Sequence, residues 1–160
     1  MLLEALAWRQ RRPAHGWFVA GPDMDPERAG RFRTNAATGK IRVTGVDRHG
    51  RAVMIFDNSR ENTTSATDMI EYLAWNMELC YRTMDRSRSD KIMLLMHLTS
   101  FSIFNNPPSA VTKETIQILS GSFPESLGVC ILLDAPGYFR AFYSMIKNFV
   151  DPKTLSKVIL

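Results

Sequence analysis

Two unbroken apolar runs constrain this chain more than any other feature. Residues 91–99 (KIMLLMHLT) and 128–135 (GVCILLDA) are continuous apolar stretches flanked by charged or turn residues. Such runs suit strands buried on both faces, as in a parallel sheet. The stretches around them carry helical spacing. Ser65 with Asp68 three residues on resembles a capping box, and Ile70, Leu73, Met77, Tyr81 and Met84 then form one apolar stripe. Asn106-Pro107-Pro108 breaks the chain, and a helix is expected from Ser109 to Gly121. Residues 138–150 read as an aromatic-rich helix. Asp151-Pro152 then offers an N-cap with proline at the first helical position, leading through a short turn into a strand at Val158-Ile159-Leu160.

Ahead of these elements, residues 41–47 (IRVTGVD) and 52–58 (AVMIFDN) flank Arg48-His49-Gly50 as a strand–turn–strand unit. The order is therefore β-β-α-β-α-β-α-β. Alternating strands and helices imply an α/β fold with a mainly parallel sheet covered by helices, the first pair being free to run antiparallel. Residues 1–12 (MLLEALAWRQRR) resemble the end of a helix, with Leu2, Leu3, Leu6 and Ala7 at helical spacing. Residues 13–40, rich in Pro, Gly, Arg and Asp, read as irregular.

The 160 residues make one domain, and the 45% hydrophobic content is that of a globular chain rather than a disordered one. The net charge of +4 favours anionic partners without selecting among membrane, phosphate and nucleic acid. No zinc-finger spacing or RNA-binding signature supports the last, so no nucleic-acid partner is expected. Arg9, Arg11 and Arg12 follow the first apolar stretch rather than precede it, the reverse of a secretory signal, and no apolar run reaches about 18 residues. A cytoplasmic protein that touches membranes at their surface is expected. Cys80 and Cys130 fit buried thiols of a reducing compartment.

Enzyme signatures are absent from the sequence. There is no G-x-G-x-x-G after a strand, no phosphate-binding G-x-x-x-x-G-K-[ST] and no G-x-S-x-G elbow. His15, His49 and His97 lack zinc-motif spacing. His97 falls in a buried-strand pattern and reads as a satisfied core histidine, and Asp134 ends a strand without a partner motif. No catalytic residue, metal or cofactor is expected.

Residues 119–160 carry a more specific pattern. Phe123-Pro124-Glu125 precedes Ser126-Leu127-Gly128, a buried strand ends in Asp134-Ala135-Pro136, and an aromatic helix leads to Phe149-Val150-Asp151-Pro152-Lys153-Thr154-Leu155-Ser156-Lys157-Val158-Ile159. The order and spacing closely resemble those of the CRAL-TRIO family. Phe123 stands for the usual Tyr, Asp134 for the usual Asn and Val150 for the usual Leu. Upstream, VDRHGRAVMIF is similar to the family's Asp-x-x-Gly-Arg-Pro-Val strand pair. KIMLLMHLTSFSI is similar to the strand ending Asp-Leu-x-Gly-x-Ser, with His97 for Asp, Ser100 for Gly and Ser102 matching the Ser.

The resemblance implies a sheet that forms the floor of an apolar lipid cavity, closed by a gating helix over residues 138–150. It implies that residues 1–40 are the end of an N-terminal helical region and a linker. Residues 41–160 would be the lipid-binding core, cut short in its last strand. Ser102, Tyr138, Phe139, Phe142, Tyr143, Ile146 and Phe149 would line the cavity or gate. The wide apolar arc of that helix also fits plain burial in a core. Phosphatidylinositol-transfer members of the family use a Glu, a Thr and a Lys for the headgroup, which match Glu125, Thr154 and Lys157. On their chemistry alone, Glu125 and Lys157 equally fit a structural ion pair and Thr154 a helix cap. The implied function is binding and transfer, or presentation, of a phospholipid, with the lipid as ligand and the membrane surface as transient partner. Other hydrophobic cargo (a tocopherol, retinoid or sterol-like compound) and a membrane-targeting or protein-interaction module are the alternatives.

Overall fold

The computed structural model describes residues 25–99 and 109–160; the expected helix at residues 1–12 lies outside them. Strands β1 (Ile41–Val46), β2 (Ala52–Asp57), β3 (Ile92–His97), β4 (Leu127–Leu133) and β5 (Val158–Ile159) lie side by side in sequence order. β1 and β2 are antiparallel, and β2 to β5 are parallel throughout. The turn between β1 and β2 explains its sequence. One Asp47 oxygen accepts the Nα–H groups of His49 (2.8 Å) and Arg51 (3.0 Å), the other accepts Arg51 Nε (2.7 Å), and Gly50 supplies a φ of 83°.

Each step from β2 to β5 joins neighbouring parallel strands, and right-handed crossovers then place the connecting helices on one face. The packing follows that rule. Ala52, Met54, Ile92, Cys130 and Leu132, alternate residues of their strands, belong to the two clusters that hold the helical side chains. Met93, Leu95, Val129 and Ile131, between them, belong to neither cluster and are half-buried. The expectation that residues 91–99 are fully buried on both faces is thus corrected: only Ile92 and Leu98 are buried, because the described helices cover one side.

Residues Pro26–Ala36 form helix α1, where the sequence reads as irregular. Asp25 caps it, accepting the Arg28 N–H at 3.0 Å, and Pro26 stands at its start. This is the Asp-Pro signal seen at 151–152, here hidden in a Pro- and Arg-rich segment. α1 docks on helix α2 (Ala66–Thr83) through Phe32, which meets the rings of Tyr72 and Trp75 at 6.3 and 6.2 Å, and through the Arg31–Asp68 pair at 3.2 Å. That pair also explains why only half of the expected capping box forms. Ser65 Oγ accepts the Asp68 N–H at 3.3 Å, but the Asp68 carboxylate turns to Arg31, and Thr63 Oγ1 accepts the Ser65 N–H at 3.2 Å.

Helix α3 (Ser109–Ser122) leads into β4, and helix α4 (Phe139–Ile146) is shorter than the expected 138–150. A 3-10 turn, Lys147–Phe149, follows α4. No side chain caps the start of α4 at Tyr138, so an eight-residue helix depends on the packing of its apolar side. Helix α5 (Pro152–Leu155) has the expected cap, with Asp151 accepting the Thr154 N–H at 2.9 Å. Hydrogen bonds from Thr154 hold the Asp151 carboxyl below its ordinary range.

Cys80 and Cys130 are free and buried, and desolvation pushes their thiols up to about 12 and about 11. The thiolate is the reactive form. Iodoacetamide at neutral pH is expected to label the native chain at least about a hundredfold more slowly than a free thiol, with full labelling after denaturation. Mass spectrometry of the time course checks this, and rapid labelling in native buffer would contradict the burial.

Candidate functional site

Four parallel strands begin at one edge of the sheet, and the loops that enter them meet there. The segment Phe123–Ser126 enters β4 as a rigid pedestal. Phe123 is 3% exposed and stacks on Tyr81 at 6.2 Å between ring centroids. Ser126 Oγ donates to the Phe123 carbonyl at 2.6 Å and pairs with the Tyr81 hydroxyl. The Ser126 carbonyl accepts the Ile92 N–H at 2.8 Å, which ties the segment to the start of β3. Gly128 permits the close approach of the neighbouring strand: a β-carbon there would lie 2.9 Å from Lys91 Cβ and 3.0 Å from Arg51 Cδ.

On this pedestal Glu125 adopts a φ of +58°, in the left-handed region that side chains other than glycine, asparagine and aspartate seldom occupy. Its carboxylate faces α5. Oε2 lies 2.9 Å from Lys153 Nζ and 3.8 Å from Lys157 Nζ. The hydrogen bond from Lys153, and then the charges of Lys153, Lys157 and Lys91, hold its carboxyl below the ordinary range. The same hydrogen bond raises Lys153. Such a carboxyl stays ionised above its ordinary pKa and gives up the pairing as pH falls through its lowered value.

The structure therefore brings Glu125 and Lys157 together and sets Thr154 on the turn between the two lysines. Lys157 is the more buried cation, at 19% side-chain exposure against 68% for Lys153. Its carbonyl accepts the Cys130 N–H at 2.8 Å, so its backbone is fixed to β4. The sequence reading missed Lys153, the nearer partner of Glu125. The signal was present: Lys153 and Lys157 are four apart on a helical turn, which places both on one side. The helix cap belongs to the Asp151 side chain, with Thr154 contributing its backbone N–H. A carboxylate can accept hydrogen bonds from hydroxyl groups, and ammonium groups can donate to an anion.

The expected gate residues divide between two sides of α4. Phe139 is 4% exposed, meets Phe142 and Tyr143 at 5.9 and 6.1 Å, and belongs to the core cluster with Cys130 and Leu132. Phe142, Tyr143 and Ile146 are half-buried, while Tyr138, Met145 and Phe149 are exposed. Lys113 Nζ lies 5.1 Å from the Phe149 ring centroid. Ser102 lies outside the described residues. A pocket between α2 and α3, lined by Ile70, Leu73, Ile118 and Phe123 among others, contains none of the expected cavity residues. It has no room for a ligand or for an ordered water.

At the opposite edge, where β3 and β4 end, His97 is not the core histidine its sequence pattern suggests. Its side chain is 38% exposed. Its Nε2 lies 2.9 Å from Asp134 Oδ2 and 3.1 Å from Thr99 Oγ1, and its Nδ1 lies 3.7 Å from Asp57 Oδ1. A strand-end position, one residue short of buried Leu98, is what exposes it. Asp134 has a φ of +53°, a conformation that aspartate and asparagine tolerate better than most residues.

Comparison with known proteins adds the following. A family model described as the CRAL/TRIO domain matches residues 36–160. The phosphatidylinositol transfer protein PDR17 of Saccharomyces cerevisiae is 29% identical over 99% of the chain, which corresponds to 45% of its own length. The phosphatidylinositol transfer protein CSR1 of Eremothecium gossypii is 25% identical over 99% of the chain and 37% of its own length. The chain thus spans less than half of each of these relatives. The crystal structure of Sfh5 superposes with a TM-score of 0.75 at 19% identity, covering 99% of this chain and 56% of that one, which establishes the shared fold.

The close approach at Gly128 makes a local prediction. Gly128→Ala must separate β3 from β4 or displace the Lys91 stem, and is expected to destabilise the chain by about 1–3 kcal/mol. Denaturant unfolding measures this, and an unchanged midpoint would show that the strand edge yields freely.

Proposed function

Because the chain belongs to the CRAL/TRIO domain family, we propose that it is a non-enzymatic lipid-binding module that carries phosphatidylinositol, with Glu125, Thr154 and Lys157 at the headgroup. The observation that carries this reading is Glu125. A glutamate held at positive φ on a tightly bonded pedestal, against two lysines, is costly by about 1–3 kcal/mol of backbone strain where glycine would be free of it. What the glutamate adds over glycine at that position is its carboxylate. In the proposed complex Glu125 accepts hydrogen bonds from inositol hydroxyls, Lys157 neutralises the phosphate and Thr154 donates to a phosphate oxygen. Lys153, the nearer cation, positions the Glu125 carboxylate. The relatives named as phosphatidylinositol transfer proteins support the choice of lipid.

Transport makes a second demand. Each methylene kept from water contributes about 0.8 kcal/mol, so the roughly 30 methylenes of two acyl chains amount to on the order of 20 kcal/mol. A carrier must therefore enclose the chains in a dry interior, and headgroup bonds of about 1–3 kcal/mol only select the lipid. The apolar inner side of α4 and the sheet beneath it are the surfaces we assign to those chains, with α4 as the gate. Its short length and uncapped start favour movement at low cost. Among the described residues no helix is long and apolar enough to cross a membrane.

The test is mass spectrometry of lipid extracted from the protein purified from a eukaryotic host, together with transfer between vesicles. Phosphatidylinositol is expected in the extract, and Lys157→Ala should lower its transfer by tenfold or more, about 1.4 kcal/mol. If another lipid co-purifies, or the Lys157→Ala protein transfers phosphatidylinositol normally, the headgroup assignment is wrong. Glu125→Gly separates strain from chemistry. It should retain or slightly raise thermal stability while losing phosphatidylinositol binding.

A further inference from the structure

The rim where β2, β3 and β4 end holds a titratable cluster that the lipid site does not use. His97 is its centre. Asp57, the last residue of β2, presents Oδ1 3.7 Å from His97 Nδ1, and Asp134, just past β4, presents Oδ2 2.9 Å from Nε2. Thr99 Oγ1 lies 3.1 Å from the same Nε2. A 3-10 turn, Asn58–Arg60, follows Asp57 and is bonded to it. Ser59 donates to Asp57 Oδ1 through its N–H at 3.1 Å and its hydroxyl at 2.6 Å, and Arg60 Nε donates to Oδ2 at 2.9 Å. Burial works to raise the Asp57 carboxyl, but the Ser59 hydrogen bonds and the charges of Arg60 and His97 hold it below its ordinary range. The charged groups set about His97 by β2, the 3-10 turn and the end of β4 are thus Asp57, Arg60 and Asp134, and residues 100–108 carry no titratable side chain.

Both ends of the His97–Asp134 bond are positions where this chain departs from the family pattern, which has Asp at the first and Asn at the second. A carboxylate and an amide keep their hydrogen bond across neutral pH, whereas an imidazole changes its number of donors there. Protonated, His97 carries an N–H on each ring nitrogen, with one carboxylate facing each. Neutral, it keeps a single N–H. The Asp57 side chain is 11% exposed and that of Asp134 is 66% exposed, so water replaces the imidazole at little cost beside Asp134 and at greater cost beside Asp57. The proton that leaves is therefore the one on Nε2. Bare Nε2 and the Asp134 carboxylate both only accept, and Thr99 Oγ1 is in place to donate to Nε2 instead. Each charge state has its own partner at that nitrogen, and only the protonated one binds Asp134.

Asp134 begins the segment that leads into α4. Its φ of +53° lies in the left-handed region, so the chain turns there under some strain and the side-chain bond helps to hold it. At Tyr138 the segment enters α4 without a side-chain cap, and Phe139 N–H bonds back to the Pro136 carbonyl at 2.8 Å. We propose that His97 is a pH-dependent strap on this segment. As the imidazolium it fastens residues 134–138, and as the neutral imidazole it releases them, so the start of α4 loosens as pH rises through the imidazole range. The strap does not depend on which lipid is carried; its consequence for lipid exchange rests on the assignment of α4 as the gate.

The experiment is hydrogen exchange of the full chain at about pH 5.5 and about pH 7.5, on either side of ordinary imidazole titration, read by mass spectrometry and corrected for the intrinsic pH dependence of amide exchange. Protection of the peptide spanning residues 134–146 is expected to fall about three- to fivefold from the lower pH to the higher, the scale of one exposed charged contact. Protection of β3 and β4 should stay constant. His97→Asp with Asp134→Asn, which restores the pair of the family pattern, should lose the response. Asp134→Asn alone, which removes the charge and keeps the shape, should lose it too. His49→Gln, in the exposed turn between β1 and β2, should keep it. Equal protection of the wild-type peptide at both pH values, a response that survives in either Asp134→Asn protein, or a response abolished by His49→Gln would overturn the proposal. Transfer of phosphatidylinositol between vesicles at the same two pH values separates the strap from the gate. Transfer by the wild-type chain should rise by the same factor, and transfer by the double variant should not. A pH response in protection with none in transfer keeps the strap and removes α4 as the gate, while Lys157→Ala reports the headgroup site alone.

Discussion

Parallel pairing of β3 and β4, from Met93 opposite Val129 to His97 opposite Leu133, organises the rest of the molecule. Parallel strands start at one edge and finish at the other, so every loop that enters the sheet meets every other entering loop. Lys91, Glu125 and Lys157 are far apart in the chain and close in space for that reason. The same pairing sends the end of β3 and the end of β4 to the opposite edge, where His97 meets Asp134 at 2.9 Å. Chemistry collects at the two edges because the faces are apolar.

At the entry edge, rigidity and charge reinforce each other. Buried Phe123, the Ser126 hydrogen bonds and the missing side chain at Gly128 leave the segment before β4 little freedom. This fixed backbone holds Glu125 at positive φ, and the carboxylate it presents is met by two ammonium groups. Lys157 is fixed through its own carbonyl to Cys130, whereas Lys153 reaches in from an exposed position. The pair therefore combines one cation set by the sheet with one free to leave.

α4 has the opposite character. It is short, begins without a side-chain cap and passes into a 3-10 turn. Phe139 anchors it in the core while Tyr138 and Phe149 remain exposed at its ends. Its start is held by a backbone bond alone, from the Phe139 N–H to the Pro136 carbonyl at 2.8 Å, and by one aromatic cluster. It joins the two edges, from the Asp134 side to the Asp151 side, and so connects the basic entry edge to the histidine edge.

Much of this was legible in the sequence. Apolar runs 91–99 and 128–135, the Arg48-His49-Gly50 turn and the Asp151-Pro152 cap were readable because each depends on local chemistry: burial, positive φ, a capped N–H. Glu125, Thr154 and Lys157 were readable only through the order of motifs in a family pattern. α1 was missed at Asp25-Pro26 because composition outweighed a cap signal, and Asp68 left its capping box because Arg31, outside the local window, competed for it. His97 was misread because a strand pattern does not say where the sheet ends. The chain by itself determined which segments are strands and helices and which side chains carry charge. Only the tertiary structure decided that Lys153 is the nearest partner of Glu125 and that His97 stands at the rim. Those outcomes depend on which distant segments a parallel sheet brings to the same edge, and local sequence carries no record of that distance.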